Sequence, residues 1–179
     1  NNLVTANKKD SVGICFVGEK NLKDFLNRFI EFKKGNILDE RNNVIGQHQG
    51  AILYTQGQRQ GLKIGGVKGK EELPWYVYKK DIQNNEIYVC QGGDNELLMN
   101  KGLYVEDINF INKINYQYPI NCLVQVRHQH TPVKCIIEKL SDEIKVTFSE
   151  PIRAIAPGQS AVFYDNDVCL GGGVICKTF

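Results

Sequence analysis

The chain has 179 residues, 42% hydrophobic and 23% charged, which excludes wholesale disorder and fibrous classes and fits one domain or two small ones. The net charge of +2 is uneven: residues 1–80 hold 14 Lys and Arg against 8 Asp and Glu, and residues 81–179 hold 8 against 12, so a polyanion should bind the first half more readily. No apolar run reaches the roughly 20 residues of a membrane helix and no apolar signal core opens the chain, which favours a cytoplasmic protein without a membrane partner.

The segment KNLKDFLNRFIEF, residues 20–32, predicts the one clear helix. Its apolar residues recur at i, i+3, i+4, i+7 and i+8 and form a single stripe. Asn21 is placed to cap the N-terminus of this helix, and Gly35 is placed to follow its C-terminus.

Short strands and turns are predicted after Gly35. NILD and VIGQH form a first hairpin, AILYT a short strand, and WYVYKKD with IYVCQGG a second hairpin. Between them, a Gly- and Lys-rich segment predicts a long loop with four basic residues: Arg59, Lys63, Lys68 and Lys70.

A second unit, entirely β, is predicted from Tyr116. Its strands recur at roughly ten- to twelve-residue spacing, which is typical of a small barrel or sandwich. They are NCLVQVRHQ, VKCIIEKL, EIKVTFSE, QSAVFYDND and CLGGGVICKT. The predicted fold is therefore mainly β: a small mixed α/β central domain with one clear helix, then a C-terminal β-barrel. The predicted domains are residues 1–34, 35–115 and 116–179.

The sequence holds six cysteines and three histidines. We expect a reducing compartment rather than structural disulfides, because no signal core is present. No C-x-x-C occurs and the histidines lack zinc-finger spacing, so no metal site is predicted. Four cysteines lie in strand-like apolar runs and are expected to pack as small apolar side chains: Cys90, Cys122, Cys135 and Cys176.

Cys15 lies between two apolar residues ahead of the predicted helix, which favours a buried core cysteine. The alternative is a reactive thiol near lysines and a helix N-terminus.

Residues 46–62, GQHQGAILYTQGQRQGL, are dense in Gly and Gln and predict either a tight turn system or a surface for phosphate or RNA. VRHQH, residues 126–130, is predicted to continue a strand, with Arg127 on one face and His128 on the other, so that Arg127 is available to a phosphate or a base edge.

Five segments, taken in order, resemble the tRNA-specific 2-thiouridylases, the MnmA/TrmU family, over essentially the whole chain. They are KDSVGICFVGEKNLKDFL, GQHQGAILYTQGQRQGL, PWYVYKKD followed by NNEIYV, VRHQH, and APGQSAVFYDNDVCLGGGVI. The resemblance implies a tRNA-uridine 2-sulfurtransferase that uses ATP to adenylate the C2 oxygen of the wobble uridine (U34). A persulfide sulfur then replaces that oxygen and gives 2-thiouridine.

The resemblance also implies partners and an ATP site. The partners are tRNA and a sulfur-relay protein or cysteine desulfurase as sulfur donor. The family binds ATP in an N-terminal domain with an SGGVDS-like loop, and no SGG string occurs in these 179 residues. The chain therefore resembles the C-terminal portion of such an enzyme, and we expect it to be inactive alone.

Particular residues carry over from the resemblance. Cys15 matches the catalytic cysteine that carries the persulfide and pairs transiently with a first cysteine as a disulfide. Arg127 and His128 match an Arg-Tyr pair that contacts tRNA, with His in place of the usual aromatic residue, and Gln159 in PGQS matches another tRNA contact. Residues 1–34 become the tail of the catalytic domain, residues 35–115 a tRNA-binding domain, and residues 116–179 a barrel like those of translation factors.

Two other functions remain open. One is a stand-alone RNA-binding β-barrel module without chemistry. The other is a structural domain whose Gly-rich loops only close turns.

Overall fold

The structure is a computed structural model and describes residues 4, 25–66, 69, 72–112, 116–128, 130–141 and 143–179. The chain divides into two compact units, Asn1–Phe32 and Lys33–Phe179. No helix among the described residues has the length and apolar character that a membrane crossing requires.

In the first unit, the prediction that the helix extends to residue 32 is wrong. Phe25 and Leu26 are α-helical, and the amide of Ile30 donates to the carbonyl oxygen of Leu26 at 3.0 Å. The rings of Phe25 and Phe29 lie 5.4 Å apart, one helical turn from each other, and Phe29 is largely exposed. Residues 31–34 have no regular structure, and residues 20–24 lie outside the described residues. The helix is thus a minor part of the described fold.

The Lys33–Phe179 unit begins with a four-stranded sheet of order β2-β1-β4-β3. Its strands are β1 (Gly35–Leu38), β2 (Val44–His48), β3 (Trp75–Asp81) and β4 (Glu86–Gln91). The β1–β2 and β3–β4 pairs are antiparallel, so both predicted hairpins are confirmed, and β1 pairs with β4 in parallel. Ile37, Val77, Ile87 and Val89 are fully buried in the core of this sheet because strand alternation directs them to one face.

The predicted strand at AILYT is wrong, because Ala51–Leu53 is a 3-10 helix. The amide of Ala51 donates to Asn85 Oδ1 at 3.0 Å, and Gly50 has a φ of 141°. A contact from the distant β3–β4 turn therefore directs this apolar segment away from strand geometry.

Six strands form a closed barrel of order β10-β5-β8-β7-β6-β9. They are β5 (Met99–Phe110), β6 (Ile120–Gln125), β7 (Val133–Leu140), β8 (Glu143–Arg153), β9 (Ser160–Asp165) and β10 (Val168–Thr178). All pairings are antiparallel, and the interior is filled by buried apolar side chains, with Val124, Ile137, Val146 and Phe163 fully buried. The predicted mainly β fold with a barrel is confirmed.

The barrel includes β5 (Met99–Phe110), which lies before the predicted start of the barrel domain at residue 116. β5 pairs with both β8 and β10 and so completes the closure. The alternation of buried and exposed side chains along β5 is interrupted at Glu106 and Asp107, which are both exposed, and Asp107 has a φ of 51°. This interruption explains why two-residue periodicity does not predict the strand from the sequence.

Candidate nucleic-acid interface

Arg127 and His128 lie in the turn between β6 and β7, so the prediction that VRHQH continues a strand is wrong. β6 ends at Gln125. The side-chain amide of Gln125 donates to the carbonyl oxygen of His130 at 2.8 Å, and the His130 amide donates to that of Arg127 at 3.1 Å. These bonds reverse the chain and leave the Arg127 and His128 side chains exposed.

Gln159 lies in another turn, directly before β9. Its amide donates to the carbonyl oxygen of Ala156 at 3.3 Å, and its own carbonyl oxygen accepts from Ile175 at 2.8 Å. Gly158 has a φ of 87°, the left-handed conformation that glycine adopts without steric cost. The turn is therefore held to β10 by its main chain, and the exposed Gln159 side chain takes no part in that attachment.

Arg127, His128 and Gln159 line one open cleft of about 380 Å³. Its opposite wall is the segment Thr55–Gln58 of the Gly- and Gln-rich stretch. The structure therefore brings together the three sequence-predicted tRNA contacts, although they come from separate turns of the barrel. Cys15, the fourth predicted site residue, lies outside the described residues.

The Arg127 guanidinium connects the barrel to the central sheet. Its Nη2 atom donates to the carbonyl oxygen of Ala154 at 2.6 Å and to that of Gln56 at 3.3 Å. Within the described part of the chain, Nε and Nη1 of Arg127 make no hydrogen bond. Since a guanidinium has five N–H donors in one plane, three of them remain to bind an anion in the cleft.

The wall at Thr55–Gln58 is fixed by main-chain bonds to β3. The amide of Gly57 donates to the carbonyl oxygen of Val77 at 2.7 Å, and the Val77 amide donates to that of Gln58 at 3.0 Å. The Gln56 side-chain amide donates to the carbonyl oxygen of Tyr78 at 3.0 Å. The cleft wall is therefore a rigid extension of the sheet.

Gly57 also lies against the barrel. Its φ is 82°, and a Cβ atom at this position would lie 2.5 Å from the Cβ atom of Ala154. Only a residue without a side chain fits this contact. The high glycine content of residues 46–62 therefore has a structural reason at Gly57, but the sequence does not show which of these glycines contacts the barrel.

A second arginine, Arg153 of β8, also connects the barrel to the central sheet. The Arg153 guanidinium stacks 4.8 Å from the centre of the Tyr76 ring, and its Nε donates to the carbonyl oxygen of Gly93 at 2.7 Å. Sequence reasoning missed Arg153, because it belongs to no recognisable motif, and it did not single out Gln56 within the Gly- and Gln-rich residues 46–62.

The basic residues of the predicted long loop are only partly described. Exposed Arg59 and Lys63 line a second cleft of about 600 Å³, with Trp75 in its wall. Lys68 and Lys70 lie outside the described residues. Trp75 is only 8% exposed, so this cleft offers two cations but little aromatic surface on which a base could stack.

His48, at the end of β2, is a buried titratable group near the cleft wall. It is 1% exposed, and its Nδ1 atom accepts from the Gly50 amide at 2.9 Å. Burial lowers the pKa of His48 below its ordinary value, so the imidazole is neutral at pH 7. Within the described ranges, no three His, Cys, Asp or Glu side chains are grouped closely enough to hold a metal ion.

Two domain families match this chain. The family described as "tRNA methyl transferase PRC-barrel domain" matches residues 23–91, and that described as "Aminomethyltransferase beta-barrel domain" matches residues 100–175. The two matches correspond to the central sheet and the barrel.

Among similar proteins are those named tRNA-specific 2-thiouridylase MnmA. The protein of Buchnera aphidicola subsp. Baizongia pistaciae is 49% identical over 98% of this chain and 48% of its own length. The protein of Mannheimia succiniciproducens is 48% identical over 97% of this chain and 45% of its own length, and that of Francisella philomiragia is 48% identical over 98% and 49%. The chain spans about half the length of these relatives. By this similarity and both domain matches, the chain is homologous to the C-terminal portion of the tRNA-specific 2-thiouridylases.

Proposed function

We propose that this chain is part of a tRNA-uridine 2-sulfurtransferase that makes 2-thiouridine at the wobble position (U34) of tRNA. ATP adenylates the C2 oxygen of the uridine, and a persulfide sulfur then replaces that oxygen. The names of the relatives and the similarity of the chain to them support this activity. The observation that carries the proposal is the meeting of Arg127, His128 and Gln159 in one cleft.

In this proposal the cleft binds the tRNA backbone and positions the anticodon arm. The unused donors of Arg127 bind a phosphate in a charge-assisted, bidentate hydrogen bond. The exposed His128 ring stacks on a base or donates a hydrogen bond, and the Gln159 amide binds a sugar or base edge. Since Arg127 is held by the carbonyl oxygens of Gln56 and Ala154, its guanidinium is pre-oriented before tRNA arrives.

Cys15 is proposed as the cysteine that carries the persulfide. Its thiolate accepts a sulfane sulfur from a sulfur-relay protein or cysteine desulfurase, and the terminal sulfur attacks C2 of the adenylated uridine as AMP leaves. The first cysteine of the enzyme then attacks the Cys15 sulfur and the S–S bond to the uridine sulfur breaks, which releases 2-thiouridine and leaves a disulfide between the two cysteines. The support for this role is the segment KDSVGICFVGEKNLKDFL. ATP is proposed to bind in a part of the enzyme outside these 179 residues, because they contain neither an SGG string nor a P-loop motif. A cytoplasmic location follows from the tRNA substrate.

A stand-alone RNA-binding module without chemistry is the second candidate. It is favoured by the position of Arg127, His128 and Gln159, which all lie in the Lys33–Phe179 unit.

Replacing Cys15 by Ser in the full-length enzyme separates the two candidates. For the sulfurtransferase we expect thiouridine formation to be lost, because a hydroxyl cannot carry a sulfane sulfur. Adenylation of the uridine by ATP should continue. The matched control is Cys90→Ser, a buried cysteine of β4 that should affect only stability. Normal thiouridine formation by the Cys15→Ser enzyme would remove Cys15 from the mechanism, whereas tRNA binding without any thiouridine formation by the unmodified full-length protein would favour the binding module.

A further inference from the structure

Two of the cysteines expected to pack as separate apolar side chains face each other in the barrel. Cys122 on β6 and Cys135 on β7 are direct antiparallel partners, and their Sγ atoms lie 3.6 Å apart. Opposed residues of antiparallel strands have Cα atoms about 4.5–5.5 Å apart, and a disulfide spans about 4.4–6.8 Å. Closing this pair to a disulfide therefore needs only about 1.5 Å of sulfur movement and no change of strand register.

The pair is open to small molecules at one side. Half-buried Cys122 and buried Cys135 line a cleft of about 460 Å³, together with Lys134 and Tyr164. A hydrogen bond from the Cys135 thiol lowers the pKa of Cys122, and the same bond together with burial raises the pKa of Cys135. The pair thus has one sulfur that ionises more readily and one that stays protonated beside it.

We propose that Cys122 and Cys135 form a reversible redox pair that a small peroxide converts into an intramolecular disulfide. The Cys122 thiolate attacks one peroxide oxygen, the O–O bond breaks, and hydroxide leaves, so that Cys122 becomes a sulfenic acid. The Cys135 sulfur then attacks the Cys122 sulfur, the S–O bond breaks, and water leaves. In total, two thiols lose two electrons and two protons, and one hydrogen peroxide becomes two waters. A dithiol reductant reverses the change by thiol–disulfide exchange.

The position of the pair gives the oxidation a structural consequence. The next pair along the β6–β7 hairpin is Leu123 opposite Lys134, and the turn that carries Arg127 joins the same two strands. A disulfide would close residues 123–134 into a covalent loop and restrict the hairpin that presents the candidate interface. The redox pair itself does not depend on the proposed sulfurtransferase activity.

The test uses the reduced 179-residue chain with dilute hydrogen peroxide. Remaining thiols are alkylated under denaturing conditions, and tryptic peptides are identified by mass spectrometry. We expect residues 114–127 to be joined to residues 135–139, with the loss of two hydrogens, and dithiothreitol to separate the two peptides. If both cysteines are still fully alkylated while exposed Cys176 is oxidised, or if Cys122 joins a different cysteine, the proposal is wrong.

Two variants test the order of the steps. In Cys135→Ser, the sulfenic acid on Cys122 has no resolving thiol, so dimedone should label Cys122 after peroxide treatment. In Cys176→Ser, the matched control on β10, the link between Cys122 and Cys135 should form as in the unmodified chain. A Cys122 that dimedone does not label in folded Cys135→Ser, checked by circular dichroism, would exclude Cys122 as the attacking sulfur.

Discussion

The Nη2 atom of Arg127 lies 2.6 Å from the carbonyl oxygen of Ala154, a buried residue with a φ of 54°. The same nitrogen reaches the carbonyl oxygen of Gln56 on the other side of the cleft. One side chain thus holds the barrel and the cleft wall together while it presents its remaining donors to the cleft. The proposed tRNA-binding residue Arg127 therefore also stabilises the fold, and variants of this residue must distinguish tRNA binding from that structural role.

Arg127→Lys and Arg127→Ala make that separation. Arg127→Ala should weaken tRNA binding by less than about 1 kcal/mol, because the side chain is exposed. It should also reduce the salt slope, which is the slope of the logarithm of the binding constant against the logarithm of the salt concentration, by about one unit. Arg127→Lys keeps the charge but loses the planar fork, so the slope should persist while affinity falls. Fluorescence titrations at several salt concentrations measure both quantities. An unchanged affinity and slope in Arg127→Ala would remove this residue from the interface.

Gln159→Ala should weaken tRNA binding without altering its salt dependence. The neutral amide releases no counterion, and the loss of one hydrogen bond costs about 0.5–1.5 kcal/mol. The main-chain bonds of this turn do not involve the side chain, so the thermal midpoint should stay the same. A salt slope that falls as in Arg127→Ala would contradict a neutral contact.

Gly57→Ala should destabilise the Lys33–Phe179 unit more than Gly61→Ala does. Both glycines have a φ of 82°, so the cost of the left-handed conformation is matched. At Gly57 the new Cβ atom would meet Ala154, whereas at Gly61 the nearest atom is the flexible Gln58 Nε2 at 3.9 Å. We expect an extra loss of about 1–3 kcal/mol in the free energy of unfolding, measured in urea. Equal losses would show that the close approach to the barrel is not tight.

His48 should make the central sheet sensitive to acid. Because burial lowers the pKa of His48 in the folded chain, the unfolded chain binds the proton more readily. Stability is therefore full above the unfolded pKa of about 6.5 and falls as pH decreases toward the lowered folded pKa. Protonation also removes the Nδ1 acceptor of the Gly50 amide.

Thermal midpoints at pH 7.5 and pH 5.5 measure this effect, with His48→Gln as the control. Gln keeps an acceptor but does not titrate, so the variant should lose less stability between the two pH values than the unmodified chain. An equal loss in both chains would assign the acid sensitivity to other groups.

The regular parts of this fold were predictable because strand alternation is local. Both central hairpins and five barrel strands follow from two-residue periodicity. The segments at Ala51 and Arg127 were not predictable, because side chains of Asn85 and Gln125 close the turns there. Family resemblance supplied Arg127 and Gln159, but only the closed barrel shows that they line one cleft.

The cysteine pair shows a second limit of sequence reasoning. Cys122 and Cys135 each look like a small apolar residue in a strand. Their contact depends on the β6–β7 register, which is fixed by the length of the intervening turn and by the closure of the barrel. Neither determinant can be read from the two residues themselves.

The bonds between Gly57, Gln58 and β3 bear on solubility as well as on the cleft. β3 is an outermost strand of its sheet, and such a strand normally offers unpaired amide and carbonyl groups to other chains. The segment Gln56–Gln58 binds these groups at Val77 and Tyr78. A substitution that detaches the segment would expose a template for intermolecular strand addition. For such variants we expect a greater tendency to aggregate.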